Sequence, residues 1–311
     1  MYGYKMTDMG TVRLTFTSKG FVATNEKKPL AKVFTVTKNE YDLIEDFINY
    51  YGRIFGYENV VIIDNGSDHP TVLNVYDRYR SHGVTIHNTV GYQNNKQAEH
   101  FTTIMKQYRQ SAEFLIGLDT DCFFCVNRSC DPAVIQEYLR SLPTHADLFA
   151  MKTFLMSVVD VRSENYQNNK LVRPTDCVTF VVRDNYAQTS NPHVFFRAAN
   201  FVSTENGNHN GTTTTNKRFY CPEVAYVHYH DTGRMRHLER CRSIMLGYGF
   251  IHKDDTEAEQ LDKLLKLSDG TGIHRQRQYI RYLQDPKSFF EEDPMPEDTF
   301  VFVEVKRLLG Q

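Results

Sequence analysis

Four apolar runs, "AKVFTVTK", "ENVVIID", "GVTIH" and "EFLIGLD", recur along residues 31–119 with an amphipathic segment between each pair. Strands that read as continuous apolar runs, rather than alternating ones, are buried on both faces, and a parallel sheet covered by helices provides that. The intervening segments have helical period. "NEYDLIEDFINYYGRIFG" sets Leu43, Ile44, Phe47, Ile48, Tyr51, Ile54 and Phe55 on one face, and Gly56 stops it. Thr71 to His82 does the same with Val72, Val75, Tyr76 and Tyr79, behind a Pro70 suited to a first helical turn. Gln97 to Ala112 presents Ala98, Phe101, Ile104, Met105 and Tyr108. This β-α-β-α-β-α-β order predicts an α/β fold, a Rossmann-like, mostly parallel sheet flanked by helices. Ligands of such sheets gather at the carboxyl ends of the strands, where Asp64 and Asp119 stand.

The later chain follows a different pattern. Asp131 to Leu142 predicts a short helix opening with Asp-Pro. "DLFAMKTFLMSVV", "CVTFVVRD", "VFFRAANFVS" and "VAYVHYH" predict added C-terminal strands. From Arg234 the pattern is helical again, including "EAEQLDKLLKLS" and "HRQRQYIRYLQD", and "EEDPMPED" reads as a solvated loop. Without an internal repeat or long linker, the expected division is a main domain over 1–250 and a helical extension over 251–311 packed on it.

With 311 residues the chain buries a substantial core, and 41% hydrophobic against 24% charged residues fits a soluble globular protein. The formal net charge of -2 leaves no global basic field for nucleic acid, so an anionic ligand must be held by local groups. Cys122, Cys125, Cys130, Cys177, Cys221 and Cys241 form no dense disulfide pattern and read as mostly reduced. Cys122 and Cys125 make a C-x-x-C with no second close pair, and strand alternation puts them on opposite faces, so packing is their expected role. The first twenty residues hold no signal-type apolar core, and no segment approaches a transmembrane run.

Within "EFLIGLDTDCFFCV", Asp119 and Asp121 stand two residues apart between apolar segments. On a regular strand both side chains point to one side and repel. A divalent cation, a shared proton, a basic neighbour or solvent at the strand end must compensate them. Asp64, leaving a buried strand, is able to accept a hydrogen bond from a base N–H, or to cap the following turn.

Lys38-Asn39-Glu40, Asp64-Asn65 with Ser67 and Asp68, Gln97, and Asp119-Thr120-Asp121 occur in that order at predicted strand ends and a helix start. Together they resemble the front half of GT-A nucleotide-sugar glycosyltransferases, especially the group around families 2 and 92. The resemblance covers residues 31–126 and extends to "GNHNG" and "VAYVHYHDTGRMRHLERC". It implies a GT-A fold with a nucleotide-binding half at about 31–126 and an acceptor half at about 147–250. The chain departs from the group at Cys122-Phe123, where many relatives carry Glu-Phe.

The resemblance further implies that Asp64, with Asn65, meets the base of a UDP-sugar or of another nucleotide. Thr35, Thr37, Lys38, Asn39 and Glu40 form the opposite lip of that pocket, and Gln97 and Thr120 lie along it. Mn²⁺ or Mg²⁺ is expected to bridge the two phosphates, with Asp121 as direct ligand and Asp119 on the ribose or a metal-bound water. A further ligand comes from His228 or His209, the other being left for phosphate. Arg234, Arg236, Arg240 and Arg242 supply local positive charge for the diphosphate, with Lys96 and Arg173 as lesser candidates. The families resembled invert configuration, which calls for a carboxylate base. Asp160 is the first choice, Glu205 the second and Asp176 the third.

The expected activity is metal-dependent transfer of a hexosyl or pentosyl group from the nucleotide-sugar to a glycan or glycoconjugate hydroxyl. A phosphatase or phosphotransferase of haloacid-dehalogenase type also uses Asp-x-Asp after an apolar strand, but there the motif opens the domain and a later acidic motif follows. A non-catalytic nucleotide-sugar-binding protein would keep Asp64 without needing the aspartate pair. The absence of an anchor suits a cytoplasmic enzyme of microbial or viral origin.

Overall fold

The computed structural model describes residues 12–17, 20–25, 28–89, 97–127, 129–157, 179–183, 193–229, 234–267, 273–287 and 300–304. Lys96, Asp160, Arg173, Asp176, Cys177 and the acidic segment 291–298 lie outside them.

The elements, in chain order, are β1 Val12–Thr17, β2 Gly20–Asn25, β3 Ala31–Thr37, α1 Ile44–Phe55, β4 Val60–Asp64, α2 Pro70–Arg80, β5 Thr85–Asn88, α3 Gln97–Gln107, β6 Phe114–Gly117 and β7 Cys122–Val126. They continue with α4 Pro132–Ser141, β8 Leu148–Ser157, β9 Thr179–Arg183, β10 Val194–Arg197, β11 Phe201–Thr204, β12 Gly211–Thr213, β13 Arg218–Tyr229, α5 Arg234–Gly247, α6 Glu257–Leu265, α7 Ile273–Gln284 and β14 Phe300–Glu304.

The fold is mixed α/β around one large sheet of eight strands, in the order β5-β4-β3-β6-β10-β8-β13-β7. Strands β5, β4, β3 and β6 are mutually parallel. Only β10 and β7 run against the common direction, β10 between β6 and β8 and β7 at the edge beside β13. Alternate residues of the central strands feed two cores. Val33, Ile62 and Ile116 pack with α1, α2 and α4 on one face, whereas Phe34, Ile63 and Leu115 pack with Phe101, Ile104 and Met105 of α3 on the other. This explains why the sequence of β4 has no polar face.

From β3 the chain winds outward to β4 and β5, then returns to place β6 on the opposite side of β3. The order of winding reverses between β3 and β6, and such a reversal opens a crevice at the carboxyl ends of the strands. Thr37, Asp64 and Asp119 all stand at that edge.

Two local outcomes differ from a regular strand and helix. Helix α3 stops at Gln107, and a tight turn follows, with Tyr108 N–H donating to Met105 O at 3.0 Å and Ser111 N–H to Tyr108 O at 3.0 Å. Beyond Gly117, Cys122 N–H donates to Asp119 O at 3.0 Å, so Asp119-Thr120-Asp121 form a turn from β6 into β7 instead of prolonging the strand. Helix α5 buries Leu238, Cys241 and Met245 in a cluster shared with Ile251, Leu264 of α6 and Tyr279 of α7. The apolar packing of the helical tail thus includes α5. Among the described residues, no helix is long and apolar enough to cross a membrane.

Candidate functional site at the strand reversal

Asn39 joins the ends of β3 and β4. Its backbone is left-handed (φ 52°), its Oδ1 accepts from the N–H groups of Asp68 and His69 at 2.9 Å each, and its Nδ2 donates to Asp68 Oδ1 at 2.7 Å. The Asn39 N–H donates to Ser67 Oγ at 2.9 Å and the Asn65 N–H to Thr37 O at 2.8 Å. Two of the sequence motifs are therefore one structural unit. Lys38 projects into solvent beside it. Asp64, only 4% exposed, turns its carboxylate inward. Oδ2 accepts from Gly66 N–H (3.1 Å) and Ser67 N–H (2.9 Å), and Oδ1 from Ser67 Oγ (2.5 Å) and the Tyr76 hydroxyl (2.9 Å). Burial, and then the Asp64 charge, pushes the Tyr76 phenol far above its ordinary value, so it stays a donor. At the end of β3, the buried Thr37 Oγ1 has no hydrogen-bond partner among the described residues.

Across the reversal, Leu118 N–H donates to Phe34 O at 2.9 Å, and the Thr35 and Thr120 hydroxyls meet at 3.1 Å in a buried pair. Gln97, the first residue of α3, links two loops: Nε2 donates to Asp119 Oδ1 at 3.1 Å, and Oε1 accepts from Gly207 N–H at 2.9 Å. The Gly207 loop, between β11 and β12, is held from beneath by Asn208. Its Nδ2 donates to Gly117 O (2.5 Å) and Val194 O (2.8 Å), and its Oδ1 accepts from the Thr204 hydroxyl. His209 follows, with its ring 4.8 Å from that of His193, which in turn stands edge-on to Tyr226 at 4.4 Å. Glu205, exposed, accepts from Asn210 Nδ2 at 3.0 Å in the same loop.

The third side is α5. Arg236 pairs with Asp42 (2.6 Å), Glu40 (3.3 Å) and Glu239 (3.0 Å), and its guanidinium lies 4.0 Å above the Tyr41 ring. Arg240 reaches Glu40 at 3.2 Å and Asp121 at 3.9 Å. Burial by itself would lower both guanidinium values. The neighbouring carboxylates, Glu40 and Asp42 for Arg236, Glu40 and Asp121 for Arg240, more than offset it and raise them. Of the four ways to compensate the aspartate pair, a basic neighbour is present in the form of Arg240, 3.9 Å from Asp121. Arg234 is the first residue of α5.

Three groups able to bind a metal converge beside the turn: ligand atoms of Asp119, Cys122 and His193 all lie within 4.8 Å of one another. Burial first, then the carboxylates of Asp121 and Asp119, pushes the Cys122 thiol well above the ordinary thiol range. Of the expected metal residues, Asp119 belongs to this group, Asp121 adjoins it with Oδ1 3.7 Å from Cys122 Sγ, and His209 stands against His193. His228 pairs with Cys122 in the β13–β7 register, which places its backbone next to the site. His193 and Asn208 carry no local sequence signal. The first precedes an ordinary apolar run, and the second is one of several loop asparagines.

No protein-family model matches the chain, and no curated protein matches it. Among solved structures, S. aureus TarS is similar at 16% identity over 76% of this chain and 42% of that chain, with a TM-score of 0.39. S. aureus TarS 1-349 in complex with UDP gives 16% identity over 75% and 69%, TM-score 0.39. GalNAc-T7 with UDP, GalNAc and Mn²⁺ gives 9% identity over 90% and 60%, TM-score 0.38. The chain spans less than half the length of the TarS chain named first.

Proposed function

We propose that this chain is a metal-dependent glycosyltransferase that moves a hexosyl or pentosyl group from a nucleotide diphosphate sugar, a UDP-sugar in the first instance, to an acceptor hydroxyl with inversion. The observation that carries the reading is the convergence of four ordered motifs on one crevice. Lys38 to Glu40, Asp64 to Asp68, Gln97, and Asp119 to Asp121 lie where the strand order reverses: Asn39 joins the first two, Gln97 bonds to Asp119, and Arg240 spans Glu40 and Asp121.

In this reading Thr35, Thr37, Lys38, Asn39, Glu40, Asp64 and Asn65 line the nucleoside pocket. A buried hydroxyl without a partner costs about 1–3 kcal/mol, so Thr37 Oγ1 favours a ligand group that pairs with it. The Asp64 carboxylate already accepts four bonds, and the rotatable Ser67 hydroxyl is the donor that a base N–H would displace. Thr120 and Gln97 shape the ribose side. The half-buried carboxylates of Asp119 and Asp121, both on one tight turn, suit a hard cation such as Mn²⁺ or Mg²⁺, with His228 or His209 completing the set. Such an ion, when bound, supplies Lewis-acid stabilisation of the departing diphosphate. Arg240, 3.9 Å from Asp121, and Arg234 at the start of α5 offer cationic partners to the phosphates. Glu205, in the loop held by Gln97, is the described candidate for the base that activates the acceptor hydroxyl, and Asp160 is the other.

A thermal-shift screen of nucleotide-sugars with Mn²⁺ tests the reading and names the donor through linkage. A UDP-sugar that raises Tm only with metal, and is slowly hydrolysed, supports it. Turnover of simple phosphate esters without any response to nucleotide-sugars overturns it.

A further inference from the structure

We infer that Asp119, Cys122 and His193 form a thiolate-containing transition-metal site, of the Zn²⁺ type, which fastens the Asp119–Asp121 turn to the start of β10. Carboxylate oxygen, thiol sulfur and imidazole nitrogen make a mixed donor set. Magnesium and calcium take oxygen ligands, whereas zinc and cobalt take this combination readily.

Two of the ligands, Asp119 and Cys122, lie three residues apart on one turn, and the sheet brings the third, His193, to them from more than seventy residues further along the chain. Asp119 ends the β6 segment, Cys122 opens β7, and His193 immediately precedes β10, the antiparallel neighbour of β6. Two independent contacts hold them in place. The Cys122 N–H to Asp119 O bond closes the turn at 3.0 Å, and Asn208 Nδ2 grips Gly117 O and Val194 O, each within two residues of a ligand. Cys122 is fully buried and His193 is 2% exposed, so the site is shielded as a tightly held ion requires. Ligand atoms around a tetrahedral zinc stand roughly 3.3–3.8 Å apart. The spread of 4.8 Å closes to that by side-chain movements of about 1 Å. His209, whose ring is 4.8 Å from that of His193, is positioned to approach as a fourth ligand.

This ion differs from the hard cation assigned to the diphosphate. The two would share Asp119, whose two carboxylate oxygens can each serve one ion, and His209 as a ligand here leaves His228 to the hard cation. The ion binds without nucleotide, and its site keeps its donors when Asp121 is altered. The test titrates the metal-stripped full chain with Co²⁺ and then Zn²⁺ in the absence of nucleotide. The expected result is one equivalent of Co²⁺ with a near-ultraviolet thiolate-to-cobalt charge-transfer band, displaced by Zn²⁺, and a Tm raised by Zn²⁺ but not by Mg²⁺. Cys122→Ser should abolish the band, and Cys122→Ser or His193→Gln should weaken Zn²⁺ binding by at least about 100-fold. Asp121→Asn should leave the band in place. A wild-type chain that shows no thiolate band overturns the site, whether or not the variants fold, as does a band that survives in Cys122→Ser. A wild-type chain that shows the cobalt band but no metal-dependent UDP binding counts against the donor reading alone.

Discussion

Asn39 and Asn208 both hold left-handed backbones, at φ 52° each, and both use their side chains to join segments that the sequence separates. Asparagine tolerates this region better than other side chains, because its amide finds backbone partners nearby. Asn208 is 1% exposed and supplies the donor for two strand carbonyls. Asn208→Ala removes the buried amide donor shared by the two carbonyls, and should destabilise the fold by about 2–4 kcal/mol. Urea denaturation with an unchanged m-value checks this, and a loss below about 1 kcal/mol would mean the bonds contribute little. Gln97→Ala makes the opposite split. Its bonds to Asp119 and Gly207 organise the crevice, not the core, so the unfolding midpoint should barely move while metal-dependent UDP affinity falls about tenfold, the effect of losing one hydrogen bond to a charged group. The aspartate pair draws attention in the sequence because carboxylate spacing after an apolar run is local, whereas Gln97 stands out only through the family resemblance. His193 and Asn208 were not legible, since each gains its role only when β10 pairs with β6.

At the level of elements, the helices declared themselves through their caps and period. Asp131 accepts from Ala133 N–H ahead of Pro132, and Gly56 closes α1 with φ 93°. The turn at Asp119–Cys122 was harder to read, because "EFLIGLDTDCFFCV" is apolar on both sides and fits one long strand as well as two short ones. Pairing decides it: β6 bonds to β3 and β10, and β7 to β13. Helix α1 also carries an apparent flaw, Gly52, where alanine would gain about 1 kcal/mol of helix propensity. A Cβ there would sit 2.4 Å from Tyr57 Cδ1, inside the ring that stacks on Tyr79 and donates to Asn49 Oδ1 at 3.1 Å. Overpacking of this kind costs about 1–3 kcal/mol. Gly52→Ala should therefore destabilise the protein, by up to about 2 kcal/mol net, and a raised Tm would show that Tyr57 moves aside freely.

For the molecule as a whole, the parallel half followed from the alternation of strands and helices, whereas the order β10-β8-β13-β7 did not. Those pairings join residues as distant as Cys122 and His228, and no local period encodes them. How the C-terminal helices attach was equally hidden. Among the described residues, their apolar cluster is separate from the two cores of the sheet, and charged side chains of α5 link it to the main body. Arg236 is central to that link, pairing with Glu40 and Asp42 and covering Tyr41. Both carboxylates are largely shielded, with side chains 17% and 10% exposed; removing the arginine takes the 2.6 Å partner from Asp42 and leaves Glu40 with Arg240 alone. Loss of one partner of a buried pair costs about 3–5 kcal/mol, more than the pair's own net contribution. The cost should fall on the docking of α5 to α7, not on the sheet. In Arg236→Ala, amide exchange in α5, α6 and α7 should accelerate at least about 100-fold while β3 and β4 keep their protection, since about 1.4 kcal/mol corresponds to tenfold. Arg236→Lys should recover part of the protection, because the charge returns without the planar fork. Uniform acceleration across sheet and helices would instead mean that the two parts unfold as one.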